Sequence, residues 1–437
     1  MIKQYFKQAW QLIKQNKLFS SIYIAGTALG ISMVMIMAIL NYVKTANIYP
    51  ETNRNRTMYV KSLSMIPMDT VRFKYANSGS LSYKAAKELF MPLKTTESVS
   101  IMAMSNNFAS LPNDDNLLRV RNQYVDVNYW KLFNFRFLAG KPFSEADYTS
   151  GLQVAVISES FAKELFGAVD VVGKYFEYAF KPFRVAGVVK DVSYALTDTY
   201  AQIWMPYTCM KDYDKVGNER GGMLGGVSKV FLLADNASDF ESIRNEVNDN
   251  VQRYNSQAND WKVDLIGQPD IKSKEAKRVT SNLEPNMTKN WIQNILIFLL
   301  LLLVPAINLS GMNSTRMERR MSEMGVRKAF GASHSILIKQ VLIENLLLTG
   351  LGGLAGLLLS YLIIFFTRSW ILDIGKGFAH ALPEGTSVDF SMGMLFNMKV
   401  LMIVLLASLL MNILSALVPV YRSLRKNITD SLYIKYN

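Results

Sequence analysis

The chain has 437 residues, half of them apolar, and its 48 basic against 35 acidic side chains give a formal net charge of +13. One cysteine, Cys209, excludes a fold stapled by internal disulfides, and two histidines, His334 and His380, with no cysteine partner and no H-E-x-x-H spacing, argue against a protein metal site. The basic excess does not point to nucleic acid, because it lies beside apolar segments rather than across a surface.

Residues 1–17 place Ile2, Tyr5, Phe6, Ala9, Trp10, Leu12 and Ile13 at helical spacing with Lys and Gln opposite, the pattern of an amphipathic interfacial helix. The first charge-free apolar stretch follows, Leu18 to Val43. Three more run from Trp291 to Thr315, Asn345 to Thr367 and Val400 to Tyr421. Each exceeds the roughly 20 residues that a helix needs to cross a hydrocarbon core. The first is too long for a cleaved signal segment and has no A-x-A site behind it, so it is expected to be an uncleaved anchor.

Between the first two spans lie residues 44–290, which read as mixed α and β. Strands are predicted at 57–63, 154–158, 184–189 and 230–234, and helices at 82–93, 159–166 and 239–254. Two subdomains are expected, one from the ends of this insert and one from its middle, about 110–225. The charged stretch 270–290 is predicted to be a stalk with a break at Pro285. In span two, Pro305 removes a backbone donor and is expected to kink the helix. The small-residue pairs Gly26 with Gly30 and Gly352 with Gly356 are expected at close helix contacts.

Charge fixes the orientation. Residues 1–17, 316–344 and 422–437 together carry 14 basic and four acidic side chains, whereas 44–290 carries 31 and 28, and the loop 368–399 three of each. The positive-inside rule puts both termini and the 316–344 loop inside and residues 44–290 outside.

Catalytic signatures are missing from the sequence. GLGGLA at 350–355 follows no strand and lies within an apolar span, so it is no dinucleotide site. No G-x-x-x-x-G-K-[ST] string occurs. Ser158 lacks a G-x-S-x-G context and a nearby histidine. The most specific motif is RMERRMSEMGVRKAFGASHSILIKQVLIEN, 316–345. Its first half is expected to form a short amphipathic helix with Met317, Met321 and Met324 on one face. Gly331 ends that helix, and Ser333 can cap the one that follows. A short helix between two spans suits docking into a groove of another protein.

The string RRMSEMGVRKAFGAS, with IKQ-x-x-x-E downstream, resembles the inner loop of the permease family of ABC transporters that includes macrolide-exporter, lipoprotein-release and FtsX-type subunits. The outer segment resembles that family's periplasmic core domain at YVDVNYWKLFNFRFLAGKPF (124–143), VAVISESFAKELFG (154–167), VGK (172–174) and FRVAGVVKDV (183–192). The resemblance implies an α-helical membrane protein of the bacterial inner membrane. Its four transmembrane helices are arranged one plus three, with a large mixed α/β (α+β) periplasmic domain of two subdomains between helices 1 and 2.

The function that the resemblance implies is mechanotransmission by a non-catalytic subunit. Arg320, Glu323, Gly325, Arg327, Lys328, Gly331 and Ala332 match the family's ATPase-coupling segment, with a role in contact and force transfer. The implied partners are a separate ABC ATPase dimer, a second copy or a paralogous permease, the lipid bilayer, and a periplasmic adaptor or outer-membrane component, with no nucleic acid. No cofactor is implied on this chain; ATP and Mg belong to the partner ATPase. Export or extraction of a drug, peptide or lipoprotein is the expected activity. The alternative is an FtsX-like regulator that activates cell-wall hydrolases without transporting anything.

Overall fold

The computed structural model describes residues 7, 10–11, 13–15, 17–69, 71, 75–215, 224–319, 334–373 and 398–424. Its described residues divide into a strand-rich unit, Val43–Met287, and a unit of long helices. The helices are α1 (Lys17–Thr45), α2 (Tyr83–Leu89), α3 (Tyr129–Leu132), α4 (Glu145–Thr149), α5 (Glu159–Phe166), α6 (Phe240–Gln257), α7 (Lys272–Glu275), α8 (Met287–Arg319), α9 (His334–Asp373) and α10 (Met398–Leu424).

The strands are β1 (Thr57–Val60), β2 (Leu63–Pro67), β3 (Asn77–Leu81), β4 (Ser98–Ser110), β5 (Leu118–Val125), β6 (Phe137–Gly140), β7 (Val154–Ser158), β8 (Tyr175–Tyr178), β9 (Lys181–Val189), β10 (Ile203–Pro206), β11 (Gly225–Gly226), β12 (Ser228–Leu233), β13 (Trp261–Asp264) and β14 (Asp270–Ile271). Ten of them form one path of the sheet in the order β13-β2-β3-β12-β4-β5-β10-β7-β9-β6, with β1, β8, β11 and β14 paired beside it. The β10·β5 and β7·β9 pairs are parallel, and the other pairs are antiparallel. β1 lies off this path, pairing with β12 through Tyr59 and Phe231 and with β14 through Met58 and Ile271.

Local chemistry accounts for the elements. β7 is VAVIS with every residue buried, as a strand covered on both faces requires. Ser158 then caps α5, its Oγ accepting from the Phe161 N–H at 3.3 Å, which gives this serine a structural role. Ser82 caps α2 in the same way, accepting from the Ala85 N–H at 3.1 Å. α2 stops at Leu89 rather than at the predicted Leu93; Phe90 already leaves helical geometry at φ −120°, and Pro92 two residues on disfavours a continued helix. The predicted strand 57–63 is interrupted at Lys61 and Ser62, where Gln268 takes the Lys61 N–H.

Among the described residues of the strand-rich unit, buried apolar side chains form groups that include the following three. One joins β1, β2, α2, α6 and β13 around Phe90 and Trp261. Another joins β7, β9 and α5 around Phe161 and Phe176. The third is aromatic, with Tyr59, Tyr129, Phe133, Trp204 and Phe231 buried. At the far end of the β8–β9 hairpin, Ala179 (φ 50°) and Phe180 (φ 59°) form a two-residue turn, and Phe180 is 76% exposed.

Among the described residues, two helical stretches are long and apolar enough to cross a membrane, Ser20–Thr45 and Asn345–Thr367. Shorter apolar stretches, Met287–Leu303 and Met398–Met411, lie in α8 and α10. Four spans are expected from the sequence, and two meet this test. α8 is helical through position 305.

The helical unit owes its close packing to glycine. A Cβ at Gly356 meets the Ala28 carbonyl at 2.6 Å, and one at Gly352 meets Thr27 at 2.7 Å. These backbones therefore approach as only small residues allow. Gly353 faces Leu405 of α10 in the same manner, at 2.8 Å. Gly30 is buried and Gly26 half-buried.

Gly350, one turn earlier, has open space where its Cβ belongs. Gly356→Ala is therefore expected to destabilise the purified full chain by about 1–3 kcal/mol through overpacking. Gly350→Ala is expected to be neutral or stabilising by up to about 1 kcal/mol. Paired thermal melts in detergent distinguish the two positions.

Candidate functional site

Three segments of the strand-rich unit converge on one buried ionic network: 43–56 at and beyond the end of α1, 193–202 before β10, and 268–284 before α8. The first is organised by Arg54. Its Nη1 donates to the Val43 and Ala46 carbonyls at 2.8 and 2.7 Å. The last carbonyls of a helix have no intrahelical donor, and a cation there also meets the negative end of the helix dipole. Arg54 Nε donates to Glu51 at 2.7 Å, and both side chains are almost wholly buried. A guanidinium fits this double task because its planar fork serves two acceptor directions at once.

Glu51 carries the connection onward. One carboxylate oxygen accepts from the Thr199 hydroxyl at 2.8 Å, and the other lies 3.8 Å from Lys272 Nζ. Lys272 is the centre of the network. Its Nζ lies 2.9 Å from Asp198 and 3.2 Å from Glu275, and it stands 4.6 Å above the Tyr59 ring. Asp198 takes a second ammonium, Lys229, at 2.9 Å, and Lys61 pairs with Glu275. Three carboxylates thus meet Arg54, Lys272, Lys229 and Lys61.

The electrostatics follow from burial. Desolvation works to lower the Lys272 pKa, but Asp198 and Glu275 hold it well above the ordinary amine value. Desolvation likewise works to raise Asp198, but Lys229 and Lys272 hold it well below the usual carboxylate range. Glu275 is lowered against its burial by Lys272 and Lys61. All three groups therefore stay charged across the physiological range.

The network is anchored to the aromatic core. The Asp198 carbonyl accepts from Tyr129 Oη at 3.1 Å and Gln123 Nε2 at 3.2 Å, and Gln123 Oε1 takes Trp204 Nε1 at 3.1 Å. Beside it, Arg278 Nε donates to Asp270 at 2.7 Å, and its other nitrogens hold the Leu283 and Ile266 carbonyls at 2.9 and 3.0 Å.

This arrangement corrects the stalk expected at 270–290. Asp270, Lys272, Glu275 and Arg278 are buried, and β14 pairs with β1. Asp270, Lys272, Lys274, Glu275 and Arg278, which look solvated in sequence, each have a partner inside the fold. α8 begins at Met287, two residues beyond Pro285. The predicted coupling residues Arg320, Glu323, Gly325, Arg327, Lys328, Gly331 and Ala332 lie outside the described residues. Sequence reasoning missed the network itself. Glu51 with Arg54 and Lys272 with Glu275 are three residues apart and carry a faint local signal, but Asp198 is 74 positions from Lys272.

Arg54, Glu51, Asp198 and Lys272 bear no nucleophile–base geometry; what they can do chemically is hold three chain segments in one arrangement. Lys272→Met leaves three carboxylates short of a counter-charge and is expected to lower the unfolding free energy of the full chain by about 3–5 kcal/mol, read by denaturant titration. Because the Asp198 pKa is depressed on folding, its contribution is present above the unfolded carboxylate range and lost as pH falls through the folded value. Asp198→Asn is expected to flatten the acid limb of a stability–pH profile; an unchanged acid limb contradicts the assignment.

Comparison with known proteins places the two regions. Residues 20–250 match the MacB-like periplasmic core domain family, and residues 295–428 match the FtsX-like permease C-terminal family. The chain is 26% identical over 246 residues to the uncharacterized ABC transporter permease YknZ of Bacillus subtilis, covering 55% of each chain. It is 22% identical over 382 residues to the macrolide export ATP-binding/permease protein MacB of Escherichia coli O157:H7, covering 85% of this chain and 54% of that one. The chain spans about half the length of these relatives. Among solved structures, the extracellular domain of YknZ from Gram-positive bacteria is similar at TM-score 0.35 and 17% identity, covering 48% of this chain and 99% of that one. The periplasmic region of MacB from Actinobacillus actinomycetemcomitans is similar at TM-score 0.33 and 18% identity, covering 54% and 93%. With more than half its length matched to the first of these families, the chain belongs to the MacB-like periplasmic core domain proteins, and an FtsX-like permease region follows that domain.

Proposed function

We propose that this chain is the non-catalytic permease subunit of an ABC transporter that works by mechanotransmission in the bacterial inner membrane. Four spans, 18–43, 291–315, 345–367 and 400–421, cross the bilayer, with both termini inside and the strand-rich unit in the periplasm. A separate ATPase dimer binds ATP and Mg, and its closure moves the 316–344 loop of each of two permease copies. The strand-rich units then open or close on a drug, peptide or lipoprotein of the envelope. Macrolide export, the activity for which one relative is named, makes amphipathic drugs the first substrates to test.

The observation that carries this reading is the single ionic network that binds the last turn of α1 to the segment leading into α8. Displacement of either helix end reaches the same buried charges. Such a network has few low-energy arrangements, because a half-separated buried ion pair is costly. Small input motions are therefore expected to pass on as whole rearrangements rather than dissipate. Support also comes from the family matches and from the concentration of basic residues beside the apolar spans.

Charge reversal tests the ATPase partnership. Arg327→Glu with Lys328→Glu is expected to release a co-purifying P-loop ATPase and to abolish its stimulation, while the thermal stability of the chain stays unchanged. Retention of the ATPase by the reversed loop contradicts the coupling role. In a deletion strain, increased drug or peptide susceptibility with normal cell-wall hydrolase activity supports transport; the opposite pair supports the regulator.

A further inference from the structure

The segment between α7 and α8 shows an unusual combination of order and exposure. It is tied down at four points: Arg278 to Asp270 at 2.7 Å, Arg278 to the Leu283 carbonyl at 2.9 Å, Ser62 Oγ to the Ser281 carbonyl at 3.1 Å, and Lys274 to Glu284 at 2.5 Å. Yet it holds Val279 94% exposed and Leu283 64% exposed. Apolar side chains on a fixed loop cannot turn inward, so water contact is built into them unless something covers them.

Cations accompany them. Burial, and then the charge of Lys44 in the last turn of α1, lowers the pKa of Lys277 in the same segment. Neither lysine has a carboxylate within salt-bridge reach among the described residues. The contrast is with Lys272, Lys274 and Arg278, each of which is paired. Two neighbouring cations without a counter-ion point to an anionic occupant.

Chain connectivity names that occupant. Lys44 lies one residue before the end of α1, and Leu283 lies four residues before α8 begins, within about 14 Å along an extended chain. Both helices enter the bilayer in the reading given under Proposed function, on which this inference rests. We infer that Lys44, Lys277, Val279 and Leu283 form a membrane-seating collar, with the lysines on the phosphates of anionic outer-leaflet phospholipids and the two apolar side chains at the glycerol level. Apolar bodies with cationic heads suit that boundary.

The test uses the full chain with Cys209→Ala, reconstituted in vesicles of phosphatidylcholine and phosphatidylglycerol. Bimane is attached at Val279→Cys or Leu283→Cys, and quenching by headgroup-nitroxide lipids is compared with that at Phe180→Cys. Positions 279 and 283 are expected to quench at least about threefold more than position 180, with phosphatidylglycerol-nitroxide favoured over its phosphatidylcholine counterpart. Lys44→Gln with Lys277→Gln is expected to reduce that preference by about fivefold per lysine, the factor for one cation beside an anionic surface. Equal quenching at 279, 283 and 180, or a lipid preference unmoved by the lysine substitutions, overturns the inference. A label at Leu29→Cys in α1 separates the two levels: failure of acyl-chain nitroxide to quench it overturns the membrane reading itself, whereas strong quenching there with none at 279 and 283 overturns only the collar.

Discussion

A lysine ammonium enclosed by three carboxylates is the interaction on which the strand-rich unit depends. Lys272 meets Asp198, Glu275 and Glu51 within 4 Å while almost wholly buried. In such a setting water cannot substitute for a lost partner, so each charge is obliged to the others. Because these groups come from 43–56, 193–202 and 268–284, the obligation fixes where the chain leaves α1, where the loop before β10 turns, and where the chain departs for α8. Apolar replacement of the whole network is often neutral or stabilising in proteins, so its value here is arrangement more than stability.

The surrounding structure supports that arrangement from two directions. The aromatic core presents Tyr129 and Trp204 through Gln123 to the Asp198 loop, so this polar turn rests on rigid rings. β14 pairs with β1, which itself pairs with β12, so the last of the described strands is locked to the first. In the helical unit a different force dominates. Gly352 and Gly356 let α1 and α9 backbones meet, where dispersion contacts over a long seam replace ionic bonds.

Much of this was legible in the sequence where the cause is local. Val154–Ser158 followed by Glu159–Phe166 is readable because a β-branched run meets a serine cap and ends at Gly167, whose φ of 71° suits glycine. The long strand β4 was not legible, since its 13 residues include Asn106 and Asn107 and break the alternation that marks a strand. The network was illegible for another reason. KSKEAKR at 272–278 has the composition of a solvated stalk, and only pairings with residues as distant as Asp198 and Glu51 reveal it as interior. The family resemblance of the 316–345 loop rests on sequence alone.

Under the proposed function, segments 43–56, 193–202 and 268–284 move as one body when an ATPase partner hydrolyses ATP. Hydrogen-exchange mass spectrometry on the assembled complex, nucleotide-free against ATP-trapped, measures this directly. The account predicts that peptides covering 43–56, 193–202 and 268–284 change protection together, and that Lys272→Met makes them change separately. ATP-driven change in only one of these segments, or concerted change that survives Lys272→Met, contradicts it.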